Sequence, residues 1–594
     1  MNSLKWQRKF IGFAVVFVVA FLFLFNDSRA IAFDEGAGDD DPHAQLIEQE
    51  IVQKREKAPV LIIKQQVAAL IPKPTLPQGT TRIEEVVVKG STLLAQEAID
   101  KLKRDYEHRD LTARQMQRCA DLINRAYSRE GYITSYAYII PDKLAEGILE
   151  IMAVEGRTGK INIQGNKNFS TDLLMKKITL KEGQPFNFIA LNLDVYRMNR
   201  HPDRKLAIQI DLDKSTGTAD VTLTVKDKSP LHATLQADNY GAETILYNRY
   251  KTFLIHNNIT GHDDSLTAKI EWAEGDAHKI FDLDYSIPLN NKWKFQFYLL
   301  PYKSEDYYYK DNETTDFEKR ARKFYFWFYQ YLINKPDLEF VSSYGFTYFD
   351  IWWYKPYEKY NNPTRKDEFR VLKWDLSLNR ADNYGRWVIT NDLQMAIPNF
   401  LNGATIKSDD ASVAGAKGNY VKNLLTVARR QSLFAGIDFI SKARWQVSSA
   451  TLTGVNAFSI GGYCGVIDNR GYPRTQLPAD GGRAITLGFS FPPYFIPKDM
   501  NAPFSTKTKL NNALKLFTFW DWAQGVIKNP KVSIVPGEPD DKKVTTLASV
   551  GFGFTYTVPD QGFSVRLDAG WPLTHQNGVD GDNHHVWWSV TKSF

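Results

Sequence analysis

The chain has 594 residues, 74 of them basic and 68 acidic, and the +6 net charge is spread as interleaved signs rather than as a basic block. That pattern excludes a nucleic-acid footprint, and two cysteines so far apart, Cys119 and Cys464, fit neither a disulfide framework nor a metal site. Mean hydropathy is −0.37, and no stretch beyond the N-terminal segment approaches about 18 apolar residues, so any bilayer crossing must be made of strands.

The N-terminus opens with Lys5, Arg8 and Lys9, followed by an apolar run from Phe10 to Phe25 and the small-residue site Ala30-Ile31-Ala32. This predicts a signal peptide over residues 1–32, removed to leave Phe33 first, outside the cytoplasm. In residues 33–57, Leu46, Ile47, Ile51 and Val52 recur at helical spacing over His43–Lys57. Residues 58–80 hold a short apolar segment and then Pro72, Pro74 and Pro77, which predicts a linker.

Two similar units follow, over 81–156 and 157–229. Each opens with a strand ending in glycine, Glu85–Gly90 and Lys160–Gly165, and the two glycines are 75 residues apart. In the first unit Ala113–Arg129 is amphipathic, with Met116, Ala120, Ile123 and Tyr127 on one face, followed by strands at Tyr136–Ile140 and Gly147–Val154. The second repeats the order, with a helix near Ile189–Asn199 and strands at Leu206–Leu212 and Ala219–Val225. A period this long predicts duplicated α+β modules.

From 230 to 594 the helical period disappears. Leu266, Ala268, Ile270 and Trp272 alternate with Thr267, Lys269 and Glu271, and Phe563, Val565, Leu567 and Ala569 with Ser564, Arg566 and Asp568. One face is apolar and the other charged, the pattern of a barrel with lipid outside and water inside. The 13% aromatic content supplies its interfacial girdles. About sixteen such segments are separated by alternating long and short connections. The long ones fall near 303–321, 353–368, 399–418, 450–481 and 525–542. The short ones include Gly261–Asp264, Asn290–Asn291, Asn334–Asp337 and Pro559–Gly562, with 496–512 as the exception. The expected fold is therefore α+β repeats followed by an all-β transmembrane barrel of antiparallel strands.

Three motifs carry a resemblance. Gly131-Tyr132-Ile133-Thr134-Ser135 through Val154-Glu155-Gly156-Arg157 is similar to a polypeptide-transport-associated (POTRA) domain. Phe458-Ser459-Ile460-Gly461-Gly462, then Asn469-Arg470-Gly471-Tyr472, resembles a loop folded back into the barrel. Phe519-Trp520-Asp521-Trp522-Ala523 resembles the strand that receives its arginine. Together they resemble the haemolysin secretion/activation transporters of two-partner secretion, within the POTRA-plus-barrel superfamily. Asn469 stands where that family often has valine, and Ala523 where it has glycine.

The resemblance implies a plug helix at 33–57, POTRA domains at 81–156 and 157–229, and a barrel at 230–594 holding loop 450–481. It also implies a pore-loop pair, Arg470 with Asp521, flanked by Gly471, Tyr472, Phe458, Gly461 and Gly462. The expected partners are a large secreted, β-helical exoprotein, outer-membrane lipid, and the assembly machinery that reads the aromatic C-terminal strand ending at Phe594. A groove bordered by Met116, Ile123, Tyr127, Tyr136 and Tyr138 is the expected docking place for the exoprotein, by strand addition.

No G-x-x-x-x-G-K-[ST] run is present, and His584 and His585 lie beside Asp580 and Asp582 without a G-x-S-x-G elbow. The expectation is therefore no enzyme, no cofactor, no metal and no nucleic acid. The alternatives are a barrel-assembly factor of the same superfamily, which usually carries more POTRA domains, and an outer-membrane hydrolase.

Overall fold

The computed structural model describes residues 61–63, 72 and 74–594, except 213–217, 242–247, 274–277, 308–316, 355–362, 364, 406–410, 414, 463–468, 475–477, 529–543 and 575–583. The signal segment and the 33–57 helix lie outside the described residues. The chain divides into two compact units: described residues up to Leu231 with His256–Asp264, and His232–Ile255 with Ser265–Phe594.

The first unit holds both repeats. The earlier repeat contains β2 (Thr80–Ile83), β3 (Glu85–Lys89), α1 (Gln96–Tyr106), β4 (Arg109–Thr112), α2 (Ala113–Arg129), β5 (Tyr136–Ile140) and β6 (Ile148–Val154). Its sheet order is β3-β6-β5, parallel between β3 and β6. Helix α2 starts at a capping box in which Thr112 and Gln115 bond each other's backbone N–H, an arrangement that contributes about 1 kcal/mol. The helical period then aligns Met116, Ala120, Ile123 and Tyr127 into one stripe, buried against Val86, Ile139 and Ile151. Cys119 sits on the same buried face, where burial pushes its thiol up to about 12.

The later repeat contains β7 (Arg157–Gln164), α3 (Thr171–Met175), α4 (Phe188–Asn199), β8 (Arg204–Leu212) and β9 (Thr218–Asp227). Leu206, Ile208, Ile210 and Leu212 alternate onto the core side of β8, as a half-buried strand requires. Residues 58–80 differ from their reading as a linker. Leu61–Ile63 forms β1, which lies parallel on β8 with Leu61 opposite Ile208 and Ile63 opposite Ile210. The sheet order is β1-β8-β9-β7. The physical reason is the free edge of β8, whose unpaired backbone groups accept an extended Leu-Ile-Ile segment.

The same unit buries an ion pair. Arg204 donates Nη1 and Nη2 to the two Asp263 carboxylate oxygens, each at 2.5 Å, and Lys177 adds a contact at 2.8 Å. Beside it, the Asp203 N–H donates to His201 Nδ1, so the ring's Nε2 carries the proton and donates to the Asn257 carbonyl at 2.8 Å. Burial pushes the Asp263 carboxyl up, but the hydrogen bonds and charge of Arg204, with Lys177, outweigh it and hold it at about 2. A carboxylate depressed on folding stabilises above its unfolded pKa of roughly 4. That contribution, about 2 kcal/mol, is lost as pH falls from roughly 4 towards 2. Full-length wild type is expected to lead Asp263→Asn in denaturant midpoint at about pH 5, to keep only part of the lead at about pH 2.5, and to lose it by about pH 1.5, below the folded value of about 2. The helical circular-dichroism signal reads this, because the described helices longer than one turn lie in this unit. An undiminished lead at about pH 1.5 would contradict the assignment.

The second unit is a closed antiparallel barrel of sixteen strands. The first eight are β10 (Leu231–Asp238), β11 (Arg249–His256), β12 (Ser265–Ala273), β13 (His278–Pro288), β14 (Trp293–Tyr307), β15 (Phe317–Asn334), β16 (Leu338–Tyr354) and β17 (Arg365–Ala381). The others are β18 (Gly385–Ala396), β19 (Val421–Ser432), β20 (Asp438–Ser448), β21 (Gly481–Phe491), β22 (Leu514–Val526), β23 (Val544–Val558), β24 (Phe563–Pro572) and β25 (His585–Ser593). Strand β25 pairs with β10 from Thr234–Ser593 to Asp238–Ser589 and closes the ring.

Two connections expected as long loops are shortened by their strands. Strand β14 runs to Tyr307 and β15 starts at Phe317, while β16 runs to Tyr354 and β17 starts at Arg365. The 496–512 connection carries a single helical turn, Leu510–Ala513, where no helix was expected.

The lumenal face is polar and internally paired. Asp238 bonds Arg249 at 2.8 Å, and Lys269 bonds Asp282 at 2.9 Å, along neighbouring strands. The outward face carries the exposed apolar residues, among them Phe326, Phe328, Leu372 and Trp374. A charge-lined interior with an apolar exterior is the inverse of a soluble barrel.

Candidate functional site: a loop clamped to the inner wall

The connection between β20 and β21 folds into the barrel. Phe458 is buried and pairs its backbone with Ala479, N–H to carbonyl in both directions. Gly461 and Gly462 follow at φ of 105° and 80°, the left-handed region that glycine enters without a steric penalty. Gly462 then bridges Asn469 through paired N–H···O bonds of 3.0 and 2.9 Å, which narrows the loop to a tip.

At the tip Arg470 meets the wall. Its Nε and Nη2 donate to Asp521 Oδ2 and Oδ1, both at 2.9 Å, and its backbone N–H donates to Oδ2 at 3.2 Å. This is the two-pronged geometry that a guanidinium fork matches and an ammonium cannot. Asp521 points inward because β22 alternates: Phe519, Asp521 and Ala523 are buried, while Trp520 and Trp522 take the other face. The Arg470 guanidinium lies 3.5 Å from the Phe519 ring centroid, a cation–π contact.

Sequence reasoning missed a second carboxylate. Arg470 Nη1 donates to Asp568 Oδ1 at 3.1 Å, and Arg566 Nε holds Asp568 Oδ2 at 2.6 Å. Both aspartates are fully buried and Arg470 is 5% exposed, so the desolvated charges balance as two arginines on two carboxylates. The alternation of 563–569 already put Arg566 and Asp568 on the polar face. Nothing in the local pattern set them against residue 470.

The rest of the tip is fixed by backbone contacts. Trp587 on β25 donates Nε1–H to the Arg470 carbonyl at 2.9 Å. The Tyr472 hydroxyl reaches the carbonyls of Ala548 and Thr574 at 3.0 and 2.6 Å. Gly471 is pressed so closely to the wall that a Cβ there would stand 2.7 Å from Ser549 Cβ and from the Trp571 carbonyl carbon. The two departures from the resembled pattern have local reasons. Asn469 donates Nδ2–H to the Leu547 carbonyl and accepts from the Ser549 hydroxyl, which a valine cannot do. Ala523 is fully buried in a cluster with Phe458, Ile460 and Tyr472.

The expected docking groove in the first unit needs correction. Met116, Ile123 and Tyr127 are core residues, at most 3% exposed, because their stripe is what packs α2 onto the sheet. They border no free groove. Tyr136 and Tyr138 are half-buried on the other face of the edge strand β5, their rings 6.4 Å apart. The edge itself is partly covered: the Asn124 amide accepts from the Ala137 N–H at 2.6 Å and donates to its carbonyl at 3.1 Å.

The family of haemolysin secretion/activation proteins ShlB/FhaC/HecB matches residues 217–502, and the ShlB-type POTRA domain matches 81–156. By these matches and its domain order the chain is homologous to the haemolysin secretion/activation proteins. A second POTRA-type match, the surface antigen variable number repeat, covers 157–228. The chain is an outer-membrane β-barrel with periplasmic POTRA domains.

Its sequence is similar to the outer membrane transporter CdiB of Escherichia coli, 24% identical over 229 residues, 37% of this chain and 38% of that protein. The aligned part thus spans well under half the length of that relative. The heme/hemopexin transporter protein HuxB of Haemophilus influenzae (strain 86-028NP) is 18% identical over 524 residues, 86% of each chain. Among solved structures, CdiB from Escherichia coli superposes with a TM-score of 0.69 at 18% identity, covering 93% of this chain and 97% of that one. CdiB from Acinetobacter baumannii gives 0.63 at 14% identity, covering 93% and 96%. At such identities these likenesses speak for the fold.

Proposed function

We propose that this chain is the translocator of a two-partner secretion pair. Its POTRA domains receive a secreted exoprotein in the periplasm, and the barrel passes it outward unfolded. The observation that carries the reading is the loop tip clamped inside the pore, because Arg470, Asp521 and Asp568 occupy the lumen through which a chain would pass. A lumen lined with paired charges offers an extended polypeptide polar contacts without a continuous apolar surface on which to arrest. The partner is a large, β-helical exoprotein whose folding outside the cell draws the chain through. The assembly machinery handles β25 during insertion of the barrel itself.

Docking falls to the β5 face of the first POTRA domain, where Tyr136 and Tyr138 are the accessible aromatic pair. Paired aromatics supply large contact area at low entropic cost. Because Asn124 binds both polar groups of Ala137, those groups point away from β6, and so do the groups of Ile139 two residues on. Strand addition would therefore use Ile139 and displace Asn124.

The test compares the medium of cells lacking the chain with that of complemented cells. One large exoprotein is expected to vanish on deletion and to return with the wild-type gene. With Tyr136→Ser/Tyr138→Ser, its export is expected to drop by roughly tenfold at unchanged barrel abundance. A general depletion of outer-membrane barrels, with no single exoprotein lost, would favour the barrel-assembly reading instead.

A further inference from the structure

Strands β15, β16 and β17 are the tallest part of the wall, at 18, 17 and 17 residues. A tilted membrane strand needs only about 9–11 residues to cross the hydrocarbon. Their outward residues show where that crossing ends. On β15 the outward series reads Leu332, Gln330, Phe328, Phe326 and Phe324, then changes to Arg322 and Arg320. On β17 it reads Leu378, Leu376, Trp374 and Leu372, then changes to Arg370, Glu368 and Lys366. The pairing register sets Phe324 beside Tyr348 and Tyr348 beside Arg370, so both changes fall at one level. Counted along the antiparallel strands, these ends lie at the rim opposite the start of β10, which in an outer-membrane barrel entered from the periplasm is the outer leaflet.

The patch is built as well as placed. Asp350, 1% exposed, lies beneath the arginines and takes Arg322 Nε at 2.9 Å and Arg370 Nη1 at 2.7 Å. The Arg370 guanidinium lies 3.5 Å from the Tyr348 ring centroid, and its Nε and Nη2 also donate to the Leu401 carbonyl. Arg322 lies 4.8 Å from the Trp352 centroid with its side chain 42% exposed, and Arg320 lies 5.0 Å from the Tyr354 centroid. Glu368 accepts from Trp352 Nε1 at 3.2 Å. Among the described side chains, four cations thus face two carboxylates, one of them buried under the surface. Aromatic rings with cations immediately above an apolar band match an anionic headgroup above acyl chains.

We propose that this outer-wall patch binds the phosphorylated headgroup of the outer-leaflet glycolipid, with Arg320, Arg322 and Lys366 meeting phosphate and Phe324, Phe326 and Leu372 meeting acyl chain. Arginine forks suit phosphate oxygens, and phosphate contacts here would be dehydrated on one side by the aromatic belt. The site lies on the lipid face of the wall and is separate from the lumenal clamp. It anchors the tall side of the barrel at a fixed depth.

The test uses the full-length protein in detergent and follows its thermal melting with three probes: bis-phosphorylated lipid A, dephosphorylated lipid A and inorganic phosphate. Bis-phosphorylated lipid A is expected to raise the melting temperature, the dephosphorylated form to do so far less, and inorganic phosphate at equal concentration not at all. Arg320→Gln/Arg322→Gln/Lys366→Gln is expected to weaken the lipid A response by about tenfold in concentration while the barrel keeps its heat-modifiable mobility. If the triple variant does not fold, Lys366→Gln alone, with its smaller shift, serves in its place. Equal responses to the two lipids, or a matching response to inorganic phosphate, would overturn the proposal. So would a folded variant with an unchanged response.

Discussion

Arg470→Ala is expected to cut export of the exoprotein by at least about tenfold at matched barrel abundance. The variant removes the cation shared by Asp521 and Asp568, both fully buried. Asp568 keeps Arg566, but Asp521 is left without its guanidinium partner in a desolvated place, at a cost of about 3–5 kcal/mol. Asp521→Ala strands Arg470 less severely, because Asp568 and the Phe519 ring remain beside it. It is therefore expected to be the milder of the two.

In the double variant neither member of the pair is left stranded, so its loss of export should be smaller than the product of the single losses. A charge swap is expected to fail. An aspartate at 470 would face Asp568, and the Phe519 stack and the backbone bond to position 521 would both be lost. The measurement is a double-mutant cycle on exported protein. Strictly multiplicative effects would mean that the clamp does not act as a unit.

Gly471→Ala is the second large effect, and it changes no charge. The added methyl meets Ser549 and the backbone at Trp571 at 2.7 Å, and backbone cannot step aside as a long side chain can. Overpacking of this kind costs about 1–3 kcal/mol when it is accommodated. Here the cheaper outcome is for the tip to lift, which breaks the Trp587 bond to the Arg470 carbonyl and the Tyr472 bonds to Ala548 and Thr574. Hydrogen exchange at residues 469–472 is expected to rise sharply, with export falling and the barrel still heat-modifiable. Ser549→Gly in the same background should restore part of both. Unchanged exchange at the tip would show that the loop is held elsewhere.

Much of the architecture was legible in one dimension because its periods are strong. A two-residue alternation over sixteen segments can satisfy its polar face only against water or against itself, and the charges on it, such as Lys269 with Asp282, do pair across neighbouring strands. The Met116–Tyr127 stripe was equally legible as a helix face. Its misreading as a groove came from treating an apolar face as free, when the sheet that covers it is formed by strands on both sides in the sequence. The tripeptide Leu61–Ile63 carries no period at all, and only the open edge of β8 makes it a strand.

The sequence by itself determined the alternation that makes a barrel, the parity that turns Asp521 away from lipid, and the glycines that let a loop reverse. Each of these depends on neighbours a few residues away. The tertiary structure alone decided that Asp568, 98 positions beyond Arg470, shares its guanidinium. It also decided that Trp587 locks the tip, and that β15 and β17 bring their outward cations to one level on either side of β16. Those contacts depend on the closure and register of the ring, and no local spacing encodes which strands the ring makes neighbours.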